Sequence, residues 1–121
     1  MNHRTRTVLI VDDDPQILRL VEKMLRARSV KILLAPKPSE ALAICQSETV
    51  DLLISDLAMP EMDGTRLAER VLKLHPEAAV LLISGHFKDP PAAAKSGHMR
   101  FLRKPFFPSQ LLEFLKELLP E

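Results

Sequence analysis

The sequence predicts an α/β fold in which an open sheet of five parallel strands is doubly wound, with helices on both faces. Three observations carry that prediction. Short apolar runs rich in Val, Ile and Leu recur along the chain and suit strands buried on both faces. Amphipathic helical stretches alternate with them. The connections are short, so each strand is followed by a helix that must cross over to a parallel neighbour, with the usual right hand.

The first strand is Val8-Leu9-Ile10-Val11, which stops at Asp12, Asp13 and Asp14. Asp14 can cap a helix with Pro15 at its first position, and Ile17, Leu18, Val21, Met24 and Leu25 recur at helical spacing to about Arg28. A second strand spans Val30 to Ala35, and a second helix runs from Ser39 to about Ser47, carrying Ala41, Leu42 and Ile44. The third strand, Leu52-Leu53-Ile54, ends at Ser55-Asp56. After the turn residues Pro60 and Gly64, a helix from about Thr65 to Leu74 stops at His75, because the residue before Pro76 disfavours helical geometry. The fourth strand is Val80-Leu81-Leu82-Ile83, ending at Ser84-Gly85. Pro90-Pro91 can open a helix and cannot sit inside one, so the fourth helix is predicted to be short or irregular, over Ala92 to Ser96. The fifth strand is Arg100 to Arg103. From Pro108 a last helix is predicted to turn Leu111, Leu112, Leu115, Leu118 and Leu119 toward the core.

The chain has 121 residues and 13.6 kDa, enough for one core and one domain. With 46% hydrophobic and 27% charged residues it is neither a disordered tail nor a repeat array. Its 17 basic and 16 acidic side chains leave +1, so no overall charge recommends nucleic acid or an anionic membrane as a direct partner. The single cysteine, Cys45, excludes an internal disulfide and a cysteine zinc site, and it reads as inert packing. No apolar stretch approaches the roughly 20 residues that cross a bilayer, so a cytoplasmic protein without membrane insertion is expected.

Sites in open parallel sheets lie at the carboxyl ends of the strands. There the sequence delivers Asp12, Asp13 and Asp14 from strand one, Asp56 from strand three, Ser84 from strand four and Lys104 from strand five. Converging carboxylates raise one another's pKa unless a cation intervenes, and an oxygen-only set suits Mg²⁺. A metal and a lysine to neutralise oxygens, a hydroxyl donor and an in-line nucleophile are what phosphoryl transfer requires. Asp56 is the candidate nucleophile, forming an acyl phosphate.

Four segments in order then resemble one family: Val8 to Pro15, with its three acids; Asp56-Leu57-Ala58-Met59-Pro60-Glu61-Met62-Asp63-Gly64; Leu82-Ile83-Ser84-Gly85; and Phe101-Leu102-Arg103-Lys104-Pro105-Phe106. The sequence resembles a response-regulator receiver domain of two-component signalling from Thr7 to the last helix. The resemblance implies a flavodoxin-like receiver fold with strand order 2-1-3-4-5. It implies that Asp56 is the phosphorylation site, that Asp13, Asp56 and the Ala58 carbonyl hold Mg²⁺, and that Asp12 acts on the ion through water. Ser84 would be the switch hydroxyl, Lys104 the partner of a phosphoryl oxygen, and Phe101, a position often held by tyrosine, the aromatic that packs inward as Ser84 moves. The peptide before Pro105 is commonly cis in the family. The implied partners are a histidine kinase or histidine phosphotransfer protein and an unidentified downstream protein. The chain departs from the family at Pro90-Pro91, which puts the surface around helix four under a different geometry, and His86 and Ala58 hold positions that tune access of hydrolytic water.

Two other functions fit parts of this pattern. A pseudo-receiver would bind a partner without phosphorylation, although every residue of the catalytic set is present. A Mg²⁺-dependent phosphohydrolase of the haloacid-dehalogenase type would use Asp12 and Asp14, one residue apart, but after Lys104 only Glu113, Glu117 and Glu121 remain to supply its later acids.

Overall fold

The computed structural model describes residues 5–85 and 99–120. Among the described residues nine elements follow in chain order: β1 (Arg6–Val11), α1 (Pro15–Leu25), β2 (Val30–Ala35), α2 (Pro38–Ser47), β3 (Leu52–Asp56), α3 (Gly64–Leu74), β4 (Ala79–Ser84), β5 (Met99–Arg103) and α4 (Pro108–Leu118). The expected short helix over Ala92 to Ser96 and the position of His86 lie outside the described residues. The five strands form one sheet in the order β2-β1-β3-β4-β5, and every pairing is parallel.

The alternation of side chains along a strand divides the apolar runs between two cores. Val8 and Ile10 of β1, Leu52 and Ile54 of β3, and Leu81 and Ile83 of β4 meet Leu18, Val21 and Leu25 of α1 and Leu111, Leu115 and Leu118 of α4. On the opposite face Leu9, Val11, Leu53, Val80 and Leu82 meet Ala41 and Cys45 of α2 and Leu67, Ala68 and Val71 of α3. Because β1, β3 and β4 are covered on both faces, their runs are continuous rather than alternating in polarity. Each large aliphatic side chain so buried contributes roughly 1.5–3 kcal/mol.

Two expectations need correction. Helix α1 ends at Leu25, one turn before Arg28, and the Arg26 N–H closes it on the carbonyls of Glu22 and Lys23. Arg28 instead donates from its guanidinium to the Leu119 carbonyl at 2.7 Å, which satisfies a carbonyl orphaned at the end of α4. Leu112 does not face the core: it is 36% exposed, whereas Leu111, Leu115, Leu118 and Leu119 are buried. Leu111, Leu115 and Leu118 follow the i, i+4, i+7 row that faces the sheet, and Leu112 stands one step around the helix from it.

At the amino ends of the strands a single residue joins three of them. The Asp51 carboxylate accepts the Thr7 N–H at 2.7 Å, its own N–H donates to the Thr7 carbonyl at 2.9 Å, and its carbonyl accepts the Ala79 N–H at 2.9 Å. This accounts for β1 beginning at Arg6, two residues before the apolar run, with Thr7 buried.

Candidate functional site

At the other end of the sheet the strands release their chemistry-bearing residues together. Asp12 follows β1 and is 1% exposed; its N–H donates to the Ala35 carbonyl at 3.2 Å, and its Oδ1 accepts the Asp14 N–H at 2.9 Å. Asp14 caps α1, accepting the Gln16 N–H, so the third acid of the run is committed to the helix. Asp13 between them is exposed. Asp56 is the last residue of β3 and is 8% exposed. Its Oδ1 lies 3.3 Å from the Ala58 N–H that donates to it.

Lys104, just past β5, reaches across both acids. Its Nζ stands 3.5 Å from Asp12 Oδ2 and 3.6 Å from Asp56 Oδ2. Its backbone N–H donates to the Ser84 carbonyl at 3.0 Å, and the Lys104–Pro105 peptide bond is cis, as the resemblance implied. Burial pushes the Asp12 carboxyl up to about 6; the Asp14 N–H and the Lys104 ammonium oppose that, and the charges of Asp56 and Asp13 add to it.

Carboxylate oxygens of Asp12, Asp13 and Asp56 all lie within 4.8 Å of one another. Oxygens on opposite sides of a Mg²⁺ ion are about 4.2 Å apart, twice a bond of about 2.1 Å, so a small side-chain adjustment brings this set to that spacing. The donors are all hard oxygens, and burial of so much negative charge favours a cation among them. The residues fit a small divalent ion.

The loop after Asp56 is held on several sides. The Leu57 N–H donates to the Ile83 carbonyl, and the Gly64 N–H donates to the Leu57 carbonyl, both at 2.8 Å. Asp63 caps α3 by accepting the Arg66 N–H at 2.8 Å. A Cβ at Gly64 would fall 2.4 Å from the Asp56 carbonyl oxygen and 3.0 Å from Leu57 Cα, so only glycine fits at this crossing. Glu61 reaches out to α2, where its carboxylate accepts the Ser39 N–H at 2.9 Å and the Ser39 hydroxyl at 3.2 Å. Helix α2 has no cap from its own Lys37, and Glu61 serves in its place from 22 residues away.

Ser84 is buried at the end of β4, one residue beyond Ile83, the register partner of Asp56. Phe101 lies lower: it is in register with Leu82, half-buried against the α2–α3 core, with the Arg103 guanidinium 5.9 Å from its ring centre. Asp12, Asp13, Asp56 and Lys104 therefore form one cluster, Ser84 sits on the adjoining strand end, and Phe101 is set back along β5. Sequence reasoning did not single out Ser55, Glu61 or Asp51. Their partners are distant or buried, and a serine or acid beside a strand carries no pattern of its own.

The sequence matches the response regulator receiver domain family over residues 8–116. Over 123 residues it is 34% identical to the transcriptional regulatory protein GlrR of Escherichia coli, which covers all of this chain and 28% of that protein. The chain thus spans just over a quarter of that relative's length. Among solved structures, the signal receiver domain of an HD domain-containing protein from Pseudomonas fluorescens superposes with a TM-score of 0.84 at 30% identity, covering 98% of this chain and 90% of that one. The Vibrio cholerae chemotaxis protein CheY4 gives 0.82 at 28% identity, covering 96% of this chain and all of that one.

Proposed function

Because the chain belongs to the response regulator receiver domain family, we propose that it accepts a phosphoryl group on Asp56 in a Mg²⁺-dependent reaction and changes conformation to control a protein partner. The observation that carries this reading is the Asp56 carboxylate at the end of β3, with Lys104 Nζ 3.6 Å from its Oδ2 and the Asp12 and Asp13 oxygens within 4.8 Å. The donor is a histidine kinase or histidine phosphotransfer protein, as the family membership suggests.

An Asp56 carboxylate oxygen attacks phosphorus, the bond from phosphorus to the donor nitrogen breaks, and an aspartyl phosphate remains. Lys104 neutralises a phosphoryl oxygen from the side it already shares with Asp12 and Asp56. Ser84, on the neighbouring strand end, donates its hydroxyl to a second oxygen. Asp12, Asp13, Asp56 and the Ala58 carbonyl would hold Mg²⁺, which when bound would supply positive charge against phosphoryl oxygens. The phosphoryl group stabilises one of two arrangements of the chain, with Ser84 drawn toward it and Phe101 moving in the core of the α2–α3 face. A net charge of +1 gives no overall pull toward nucleic acid or an anionic membrane, in keeping with a protein as the downstream partner.

Intact-mass measurement after incubation with Mg²⁺ and acetyl phosphate tests the reading. An adduct of about 80 Da, one phosphoryl group, that requires Mg²⁺ and disappears in Asp56→Asn is the expected result. An adduct that survives Asp56→Asn moves the acceptor elsewhere. No adduct, beside a receiver that labels in parallel, leaves either a strict need for the histidine donor or a binding module that works without phosphorylation.

A further inference from the structure

The residue before the acceptor is a serine whose hydroxyl lies in the core. Ser55 is fully buried, its register partners are Val11 on β1 and Leu82 on β4, and its hydroxyl is not used by the reaction described above. That hydroxyl donates to the Asp56 carbonyl at 2.9 Å. The pairing of β3 with β1 stops at Val11↔Ser55, so β1 offers Asp56 no partner in the ladder. The same carbonyl oxygen is where α3 approaches most closely, since a Cβ on Gly64 would meet it at 2.4 Å. The backbone of the acceptor residue is thus fixed from within the core on one side and by the start of a helix on the other.

We propose that Ser55 is a positioning residue for phosphoryl transfer: its buried hydroxyl holds the Asp56 carbonyl, and through it the peptide plane that aims the Asp56 carboxylate at Lys104 and the acidic cluster. This inference rests on the reading of Asp56 as the phosphoryl acceptor. The side chain touches neither donor nor phosphoryl group, so its effect belongs to the orientation of the nucleophile. A hydrogen bond of this kind is worth roughly 1 kcal/mol. Losing it costs about fivefold in rate if the whole of it orients the reacting carboxylate.

Threonine and valine have the same shape and differ in the hydroxyl, which makes Ser55→Thr and Ser55→Val the informative pair. Phosphorylation by acetyl phosphate is followed by intact mass at saturating Mg²⁺, with the apparent Mg²⁺ and donor constants measured separately. The carbon-13 shift of the Asp56 carbonyl reports the hydrogen bond directly, and thermal unfolding confirms that both variants are folded at the assay temperature. The expected result is a maximal rate about fivefold lower in Ser55→Val than in Ser55→Thr, little change in either constant, and an Asp56 carbonyl shift that moves in Ser55→Val alone. Equal rates in the two variants overturn the proposal, as does a difference confined to the apparent Mg²⁺ constant. A wild-type chain that takes no phosphoryl group from acetyl phosphate or from a phosphorylated histidine donor overturns the reading of Asp56 itself, and this inference with it.

Discussion

Lys104 is the residue on which the electrostatics of the cluster turn, because its ammonium is shared between Asp12 and Asp56 at 3.5 and 3.6 Å. Lys104→Ala is expected to slow phosphorylation of Asp56 by roughly 10²–10³-fold, the effect of removing one preorganised charge-stabilising group. Measured phosphorylation rates at saturating Mg²⁺ check it. Asp12 gives a pH dependence of known sign. Its carboxyl titrates at about 6 in the folded chain and at 3.8 when free of the fold. Between those values the folded state holds a proton that the unfolded state has lost, so the stability of the metal-free protein falls as pH rises from about 4 to about 6. The full effect is roughly 3 kcal/mol above pH 6. Asp12→Asn removes that slope, so the difference in unfolding free energy between variant and wild type, measured by urea titration across this range, isolates it. Gly64→Ala brings a methyl group against the Asp56 carbonyl and costs about 1–3 kcal/mol. Because the clash is at Asp56, the proposed acceptor, the variant is also expected to phosphorylate more slowly at temperatures where it is fully folded.

At the level of helices and strands, what the sequence made readable was what repeats locally. The runs Val8 to Val11, Leu52 to Ile54 and Val80 to Ile83 announced three buried strands, and the acids, serine and lysine after them announced which residues the fold brings together at one end of the sheet. What stayed hidden depends on partners far along the chain: Ser39 with Glu61, Thr7 with Asp51 across 44 residues, and Arg28 with the Leu119 carbonyl across 91. The end of α1 was misplaced for the same reason, since Arg28 looks like another helical residue until α4 provides it with a carbonyl. Leu112 was misassigned because Leu111-Leu115-Leu118 and Leu112-Leu115-Leu119 are both helical rows, and spacing alone does not say that Leu112 is the leucine left outside the core. The borrowed cap on α2 gives an element-scale prediction. Glu61→Ala costs about 1 kcal/mol, the usual worth of an N-cap, and speeds amide exchange at Ser39. An unchanged exchange rate there would show that the carboxylate does not hold the helix end.

For the molecule as a whole, one sheet serves two cores, so neither can be lost without the other. Leu81→Ala on the α1–α4 face and Leu53→Ala on the α2–α3 face are each expected to cost about 2–5 kcal/mol. Both are expected to shift a single transition seen alike by far-ultraviolet circular dichroism and by NMR methyl signals. The sequence contains neither Trp nor Tyr, so intrinsic fluorescence will not report it. Two transitions in either variant would mean that the faces fold as separate units. The clasp at Asp51 adds a direction to this cooperativity. It ties β1, β3 and β4 together at their amino ends, while Asp12, Asp56 and Ser84 stand at the opposite pole. The sheet is thus laced at both poles, at the base by Asp51 and at the tips by the Asp12, Leu57 and Lys104 N–H groups on the Ala35, Ile83 and Ser84 carbonyls, so a change at one strand tip meets its neighbours through the backbone as well as through the Lys104 ammonium.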